Sequence, residues 1–240
     1  MSDRSTYIIA EAGVNHNGSL QQAFDLVDAA AEAKADAVKF QTFRAEKLAI
    51  SAAPKAKYQV NQTGASESQY MMLKKLELDE ERHFKIRDRC DLKKIQFLST
   101  PFDTKSLHLL AQTLDIPIIK IPSGEITNAP LLLEAASTEK PLIVSTGMCT
   151  MEEVETALGV LAFGYAKSGD KPPGLKNFQT AFESIEGKNA LKKNVVLLHC
   201  TTAYPTPYEE VNLKVLDTMA TTFGLPVGYS DHTMGISVPV

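Results

Sequence analysis

The sequence predicts an α/β protein built on a parallel sheet, closed as a (β/α)8 barrel of which about seven strand–helix units lie within residues 1–240. Three observations carry this. Short apolar runs bounded by turn residues alternate strictly with segments of helical periodicity, the pattern of repeated βαβ units. The first unit lacks the Gly-x-Gly-x-x-Gly stretch that opens a doubly wound dinucleotide fold. Polar residues stand at the C-terminal end of nearly every run, as in barrels whose site is assembled from all the βα loops. No eighth strand fits before Val240, so residues 1–240 are expected to be one barrel domain, incomplete at its C-terminus and part of a longer chain.

Taken in order, the first strand is Tyr7-Ile8-Ile9-Ala10-Glu11-Ala12-Gly13, with Asn15-His16-Asn17-Gly18 as its turn. Ser19 and Gln22 suggest a capping box for a helix whose apolar face is Leu20, Ala23, Phe24, Val27, Ala30 and Ala31. Strand two is Ala37-Val38-Lys39-Phe40-Gln41-Thr42. Residues 43–78 form a long polar excursion holding Asn61-Gln62-Thr63-Gly64 and Ser66-Glu67-Ser68-Gln69, and such loops in compact domains are commonly functional. Asp79 starts a helix over 79–91, whose His83 is expected at the surface, as is His108 in the helix over 104–114. Between them lies strand three, Gln96-Phe97-Leu98-Ser99-Thr100-Pro101-Phe102.

Strand four, Ile118-Ile119-Lys120-Ile121-Pro122-Ser123, precedes a helix after Asn128. Strand five, Pro141-Leu142-Ile143-Val144-Ser145-Thr146-Gly147, precedes a helix capped by Thr150 and Glu153 and carrying Val154, Leu158 and Leu161. Residues 164–194, rich in Lys and Gly, read as a surface insertion. Strand six is Val195-Val196-Leu197-Leu198, four aliphatic residues that suit a strand buried on both faces, and it ends at His199-Cys200. A helix follows Tyr208, and strand seven, Pro226-Val227-Gly228-Tyr229, ends at Ser230-Asp231-His232.

Composition narrows the class without naming the chemistry. A net charge of −4 argues against a nucleic-acid surface, which needs clustered Lys and Arg. No apolar run reaches membrane-spanning length, and Met1-Ser2-Asp3-Arg4 leads into no signal sequence. Three scattered cysteines, Cys90, Cys149 and Cys200, suit a reducing cytoplasm better than a disulfide framework.

The strand ends supply Glu11, Asn15, His16, Lys39, Gln41, Thr100, Lys120, Ser123, Glu125, Ser145, Thr146, His199, Tyr204, Asp231 and His232. A single strand-end histidine is usually just hydrogen-bonded. Two of them, His199 and His232, at matching ends of consecutive strands suggest half of a metal site completed by water and substrate. Lys39 and Lys120 interrupt apolar strands, where an unpaired ammonium is costly. Structural ion pairs with Glu11 and Glu125 would explain them. So would a phosphate or carboxylate clamp, with Thr100, Ser123 and Ser145 as supporting hydroxyls and Gly124 and Gly147 admitting backbone N–H groups. Glu11 and Glu125 are acid/base or sugar-hydroxyl candidates, Tyr204 is a candidate wall, and Cys200 reads as a buried inert thiol.

These residues also resemble a known family. Ile9-Ala10-Glu11-Ala12-Gly13-Val14-Asn15-His16-Asn17-Gly18, Val38-Lys39-Phe40-Gln41-Thr42, Ser99-Thr100-Pro101-Phe102 and Lys120-Ile121-Pro122-Ser123-Gly124-Glu125 match it in order. Ser145-Thr146-Gly147-Met148, His199-Cys200-Thr201 with Tyr204-Pro205-Thr206-Pro207, and Ser230-Asp231-His232-Thr233 continue the match. The chain resembles the sialic acid (N-acetylneuraminate) synthases, which include legionaminate, pseudaminate and spore-coat polysaccharide relatives. The resemblance implies a transferase of sialic-acid and polysaccharide biosynthesis that condenses phosphoenolpyruvate with the open-chain aldehyde of an N-acylated amino-sugar, in a homodimer. It adds an eighth barrel unit and a C-terminal antifreeze-like domain. It implies a divalent metal, manganese first, with magnesium or cobalt as alternatives, at His199 and His232. It assigns Lys39, Thr100, Lys120, Ser123 and Ser145 to phosphoenolpyruvate, Glu11 and Gln41 to the amino-sugar, and Glu125 to a water near the metal. Tyr204 and Asp231 join the substrate-binding set. Two readings compete: a Schiff-base aldolase using Lys39 or Lys120, and a non-catalytic fragment that binds sugar or phosphate.

Overall fold

Alternation along β2 (Ala37–Thr42) shows how a lysine is tolerated in a buried strand. Val38, Phe40 and Thr42 are buried, while Lys39 and Gln41 between them are half-buried, so one face is apolar and the other carries the polar groups. A computed structural model describes residues 6–51, 68–167 and 171–239, in two compact units, Met1–Ile116 and Pro117–Val240. In the first unit β1 (Ile9–Gly13), β2 and β3 (Gln96–Pro101) pair in parallel in that order.

Helix α1 (Leu20–Glu32) buries Ala23, Val27 and Ala30. Its expected capping box is half formed. The Gln22 N–H donates to Ser19 Oγ at 3.3 Å, whereas Gln22 Oε1 accepts from Asn17 Nδ2 at 3.3 Å. The polar excursion contains α2 (Ala45–Leu48) and α3 (Gln69–Leu76), which the sequence reading took for loop. The Glu77 carboxylate ties its two ends together, accepting from Arg44 Nη1 at 3.0 Å, the Ala45 N–H at 3.1 Å and Lys74 Nζ at 3.0 Å. The Asn61-Gln62-Thr63-Gly64 stretch lies outside the described residues. Helix α4 (Glu80–Lys93) starts where expected, with Asp79 Oδ1 accepting from the Arg82 N–H at 2.8 Å. After β3 come α5 (Thr104–His108), where His108 is half-buried, and a π turn over Leu109–Thr113.

His83 is not at the surface; it is 1% exposed. Its Nδ1–H donates to the Asp79 carbonyl at 2.7 Å, and burial keeps the ring neutral by lowering its pKa. Nε2 therefore accepts from Thr42 Oγ1 at 2.8 Å, and Thr42 in turn accepts from Ser99 Oγ at 2.7 Å. This buried chain joins a helix to two strands that are remote in sequence, which is why helical spacing alone misplaced the histidine.

His16 is fully buried as well, with Nδ1 accepting from the Gly18 N–H at 3.0 Å. Burial, then His83 and Arg82 nearby, lower its pKa to about 4. The unfolded chain thus takes up a proton as pH falls through the usual 6.5, while the folded chain resists until near 4. Stability is expected to be full above that range and to fall by about 2 kcal/mol between roughly pH 7 and pH 5 from this one group. His83 adds loss of the same sign. Urea midpoints at the two pH values measure the effect, and His16→Asn should flatten it; equal midpoints in the unsubstituted protein would refute it.

In the second unit β4 (Ile119–Ile121), β5 (Leu142–Ser145), β6 (Val195–His199) and β7 (Val227–Tyr229) pair in parallel in chain order. Helix α6 (Ala129–Ser137) is capped by Asn128. Helix α7 (Met151–Tyr165) has the full capping box, with Glu153 N–H to Thr150 Oγ1 at 3.2 Å and Thr150 N–H to Glu153 Oε2 at 2.8 Å. The expected surface insertion is largely helical: α8 (Leu175–Glu183) and α9 (Ile185–Asn194) bury Phe178, Ala181 and Leu191. The Phe178 ring meets Phe163 of α7 edge-on, with centroids 5.3 Å apart. Beyond β6 a 3-10 turn at Tyr208–Glu210 precedes α10 (Lys214–Phe223). Among the described residues no helix is long and apolar enough to cross a membrane.

Candidate functional site

The first unit brings four of the expected residues onto one face of its sheet. Glu11 pairs in register with Lys39, and Gln41 with Thr100, while Lys39 and Gln41 are two apart on β2. Lys39 Nζ forms an ion pair with the Glu11 carboxylate. The structural partner suggested by sequence is therefore present, and it leaves this strand end with both signs of charge. A bulge between Glu11 and Gly13 turns the end of β1, with Gly13 at φ 53. A Cβ there would lie 3.0 Å from Glu11 Oε1 and 3.7 Å from Gln41 Nε2, so glycine admits both side chains. Thr100 is buried. His16, also named among the strand-end residues, belongs to the packed interior described above.

In the second unit Lys120 is 7% exposed and its Nζ donates to the Ile121 carbonyl at 3.0 Å. Lys120 pairs with Ile143, two residues before Ser145, so register places Lys120 and Ser145 on one face. Ser123 and Glu125 occupy a 3-10 turn just after β4. Glu125 Oε2 accepts from Asn128 Nδ2 at 2.7 Å, and Asn128 also caps α6, which fixes the carboxylate to the start of a helix. Of the two glycines thought to admit close approach, only Gly147 is crowded. A Cβ there would lie 2.6 Å from Thr202 Oγ1 and 2.8 Å from Cys200 Sγ, whereas Gly124 has nothing within 4 Å. The next thiol, Cys149, donates to the Gly147 carbonyl at 3.1 Å, and burial, then Glu153 and Cys200, push it up to about 11. Cys200 is buried, as expected.

The two histidines close the unit. His199 ends β6 in register with Tyr229, and its pairing puts it on the other face of the sheet from Lys120 and Ser145. His199 Nε2–H donates to the Val211 carbonyl at 2.7 Å, and His232 Nδ1–H donates to the Thr201 carbonyl at 2.7 Å. A carbonyl only accepts, so both tautomers follow: lone pairs remain on His199 Nδ1 and on His232 Nε2, the latter accepting from Ser230 Oγ at 3.4 Å. An imidazole with one nitrogen anchored to a carbonyl and the other basic is the form that binds a divalent cation. Each imidazole, taken singly, therefore has the donor chemistry of a metal ligand. Among the described residues no cluster of three or more His, Cys, Asp or Glu is placed to hold an ion.

Asp231 is engaged by its own turn, accepting from the Thr233 N–H at 2.9 Å, the Thr233 hydroxyl at 3.1 Å and the Tyr229 hydroxyl at 3.2 Å. Burial raises its pKa, but these bonds outweigh burial and hold it below the usual carboxylate value. Tyr229 is pushed up to about 12 by burial and by Asp231. Tyr204 lies against His232, with ring centroids 4.4 Å apart. The sequence reading missed the carbonyls of Thr201 and Val211, which anchor the two imidazoles. Backbone acceptors carry no residue-type signal.

Comparison with known proteins agrees with these motifs. The NeuB family profile matches residues 26–240. The chain is 48% identical over 238 residues to N,N'-diacetyllegionaminic acid synthase of Legionella pneumophila, covering 99% of this chain and 60% of that protein. It is 46% identical over 235 residues to the protein of the same name from Campylobacter jejuni, covering 98% of this chain and 63% of that one. The crystal structure of N-acetylneuraminic acid synthetase from Leptospira borgpetersenii serovar Hardjo-bovis, in complex with citrate, superposes with a TM-score of 0.75 at 30% identity over 98% of this chain and 68% of that one. The chain thus spans about three fifths of the length of its curated relatives. A profile match over most of the chain, with strand-end motifs in the expected order, shows that the chain belongs to the NeuB family.

Proposed function

We propose that the protein condenses phosphoenolpyruvate with an N-acylated amino-sugar aldehyde and water, giving a nine-carbon keto sugar acid and phosphate. What supports this most is that a NeuB-family chain keeps two cationic residues, Lys39 and Lys120, within otherwise apolar strands. By their match to the family motifs, Lys39, Thr100, Lys120, Ser123 and Ser145 are assigned to the carboxylate and phosphate of phosphoenolpyruvate. Ammonium groups in dry surroundings hold such anions strongly. Glu11 and Gln41, with Tyr204 and Asp231, are assigned to the sugar. The excursion over 43–78 is the segment to which the choice among N-acetylmannosamine, its phosphate and doubly amidated deoxy sugars is assigned.

His199 and His232 would hold a divalent cation, manganese first, with magnesium or cobalt as alternatives. When bound, it supplies Lewis-acid polarisation of the sugar aldehyde. The chain's own residues then do the rest. The lysines orient the enol carbon of phosphoenolpyruvate toward the aldehyde; its C=C electron pair forms the new C–C bond as the aldehyde C=O opens, and the aldehyde oxygen takes a proton from solvent to become a hydroxyl. Water adds at the resulting oxocarbenium carbon, and Glu125, held by Asn128, takes its proton. The tetrahedral intermediate breaks its C–O bond and releases phosphate. The fold class belonging to this reading is a (β/α)8 barrel with about seven units in residues 1–240, in a cytoplasmic homodimer. Three cysteines scattered along the sequence suit a reducing compartment.

A Schiff-base aldolase needs an untied lysine amine, and Lys39 is tied to Glu11. Borohydride treatment of the full-length protein with keto acid separates the two mechanisms. No covalent adduct is expected. Trapped substrate on Lys39 or Lys120 would overturn the proposal.

A further inference from the structure

The segment after β6 folds over the end of β7 and takes hold of His232 at several points. The Thr206 N–H donates to the His232 carbonyl at 2.8 Å, and Thr206 bridges to Thr233. Thr206 is itself buried, with its hydroxyl donating to the Ala203 carbonyl at 2.9 Å. These contacts fix the backbone on either side of Tyr204 and bring its ring to 4.4 Å from the His232 imidazole, centroid to centroid, at an angle of 38°. The same segment supplies the Thr201 carbonyl that accepts the Nδ1 proton. His232 is therefore held at Nδ1 by a short hydrogen bond and across one face by an aromatic ring, while Nε2 has only the long contact from Ser230 Oγ at 3.4 Å.

One short hydrogen bond at Nδ1 and one long one at Nε2, from Ser230 Oγ at 3.4 Å, leave the imidazole free to tilt about the line that joins them. A ring packed against the imidazole face restricts that freedom by contact. Tyr204 is 49% exposed, a large surface to leave in water for a residue whose only task is packing. We propose that Tyr204 is a positioning residue: its ring, not its hydroxyl, holds the His232 imidazole in the orientation and tautomer that present Nε2 to a divalent cation. The proposal rests on the reading of His232 as a metal ligand, and it departs from the expectation that Tyr204 is only a wall of the sugar pocket.

Two measurements on the full-length protein test it. In metal-free protein with nitrogen-15-labelled histidine, the His232 ring should show one tautomer, protonated at Nδ1. Tyr204→Phe should keep that signature, and Tyr204→Ala should replace it with an averaged one. In manganese titrations by calorimetry, Tyr204→Phe should bind within about twofold of the parent and Tyr204→Ala roughly tenfold more weakly, the size typical of groups that orient a ligand. An Ala variant with parental ring signals and parental manganese affinity would overturn the proposal, and so would a Phe variant as impaired as Ala. If the parent binds no manganese, or His232→Ala still binds it fully, the metal reading fails instead. The ring signals then still decide whether Tyr204 orients the imidazole.

Discussion

Replacing His199 with Ala in the full-length protein is expected to abolish tight manganese binding and to lower turnover at least about a hundredfold, the equivalent of roughly 3 kcal/mol of lost transition-state stabilisation. Each imidazole gives a proton to a backbone carbonyl, His199 to Val211 and His232 to Thr201, which leaves His199 Nδ1 and His232 Nε2 as the nitrogens for a ligand, the latter now held only by Ser230 Oγ at 3.4 Å. His232→Ala should behave alike. Two ligands that act as a unit do not add, so the double variant should be little worse than either single one. Metal analysis of protein purified without chelator, alongside initial rates, measures both effects. Full turnover in the presence of excess chelator would remove the metal from the account.

Changing Lys120 to Met is expected to weaken the apparent affinity for phosphoenolpyruvate at least tenfold, since a charge-assisted bond in a dry site is worth about 2 kcal/mol or more. Lys39→Met should act in the same direction, with a complication that is itself informative. Lys39 is paired with Glu11, so its removal leaves a carboxylate without its ion partner on the sheet face that also carries Gln41 and Thr100. Amino-sugar saturation should therefore suffer in Lys39→Met and much less in Lys120→Met. Saturation curves for each substrate measure the contrast. Unchanged phosphoenolpyruvate curves in both variants would defeat the clamp assignment.

The strands and their polar ends were legible because a buried parallel strand has little choice of composition. Runs such as Val195–Leu198 suit burial, and Lys39 or Lys120 in such a run announces a task. Caps at Asp79 and Thr150 were legible for the same local reason. What failed depended on contacts distant in sequence. His83 looked exposed until Thr42 and Ser99 supplied its buried partner. The insertion over 164–194 looked like surface because Lys and Gly dominate it, yet Phe178 anchors it against Phe163. Its apolar residues Leu175, Phe178 and Ala181 do recur at helical spacing and were the available signal. At the site, side-chain types were readable and their anchors were not. Neither the Thr201 and Val211 carbonyls nor the pairing that puts His199 opposite Lys120 and Ser145 leaves a trace in composition.

The central claim is that this chain belongs to an enzyme that spends phosphoenolpyruvate to extend an amino-sugar. The most direct measurement is phosphate release by the full-length protein with manganese, phosphoenolpyruvate and, in turn, N-acetylmannosamine, its phosphate and a doubly amidated deoxy sugar, with the acid product weighed by mass spectrometry. The account predicts sugar-dependent release with one of the three, and one nine-carbon keto acid formed per phosphate. Phosphate released at the same rate without any sugar, or a keto acid formed from pyruvate with no phosphate at all, would contradict it.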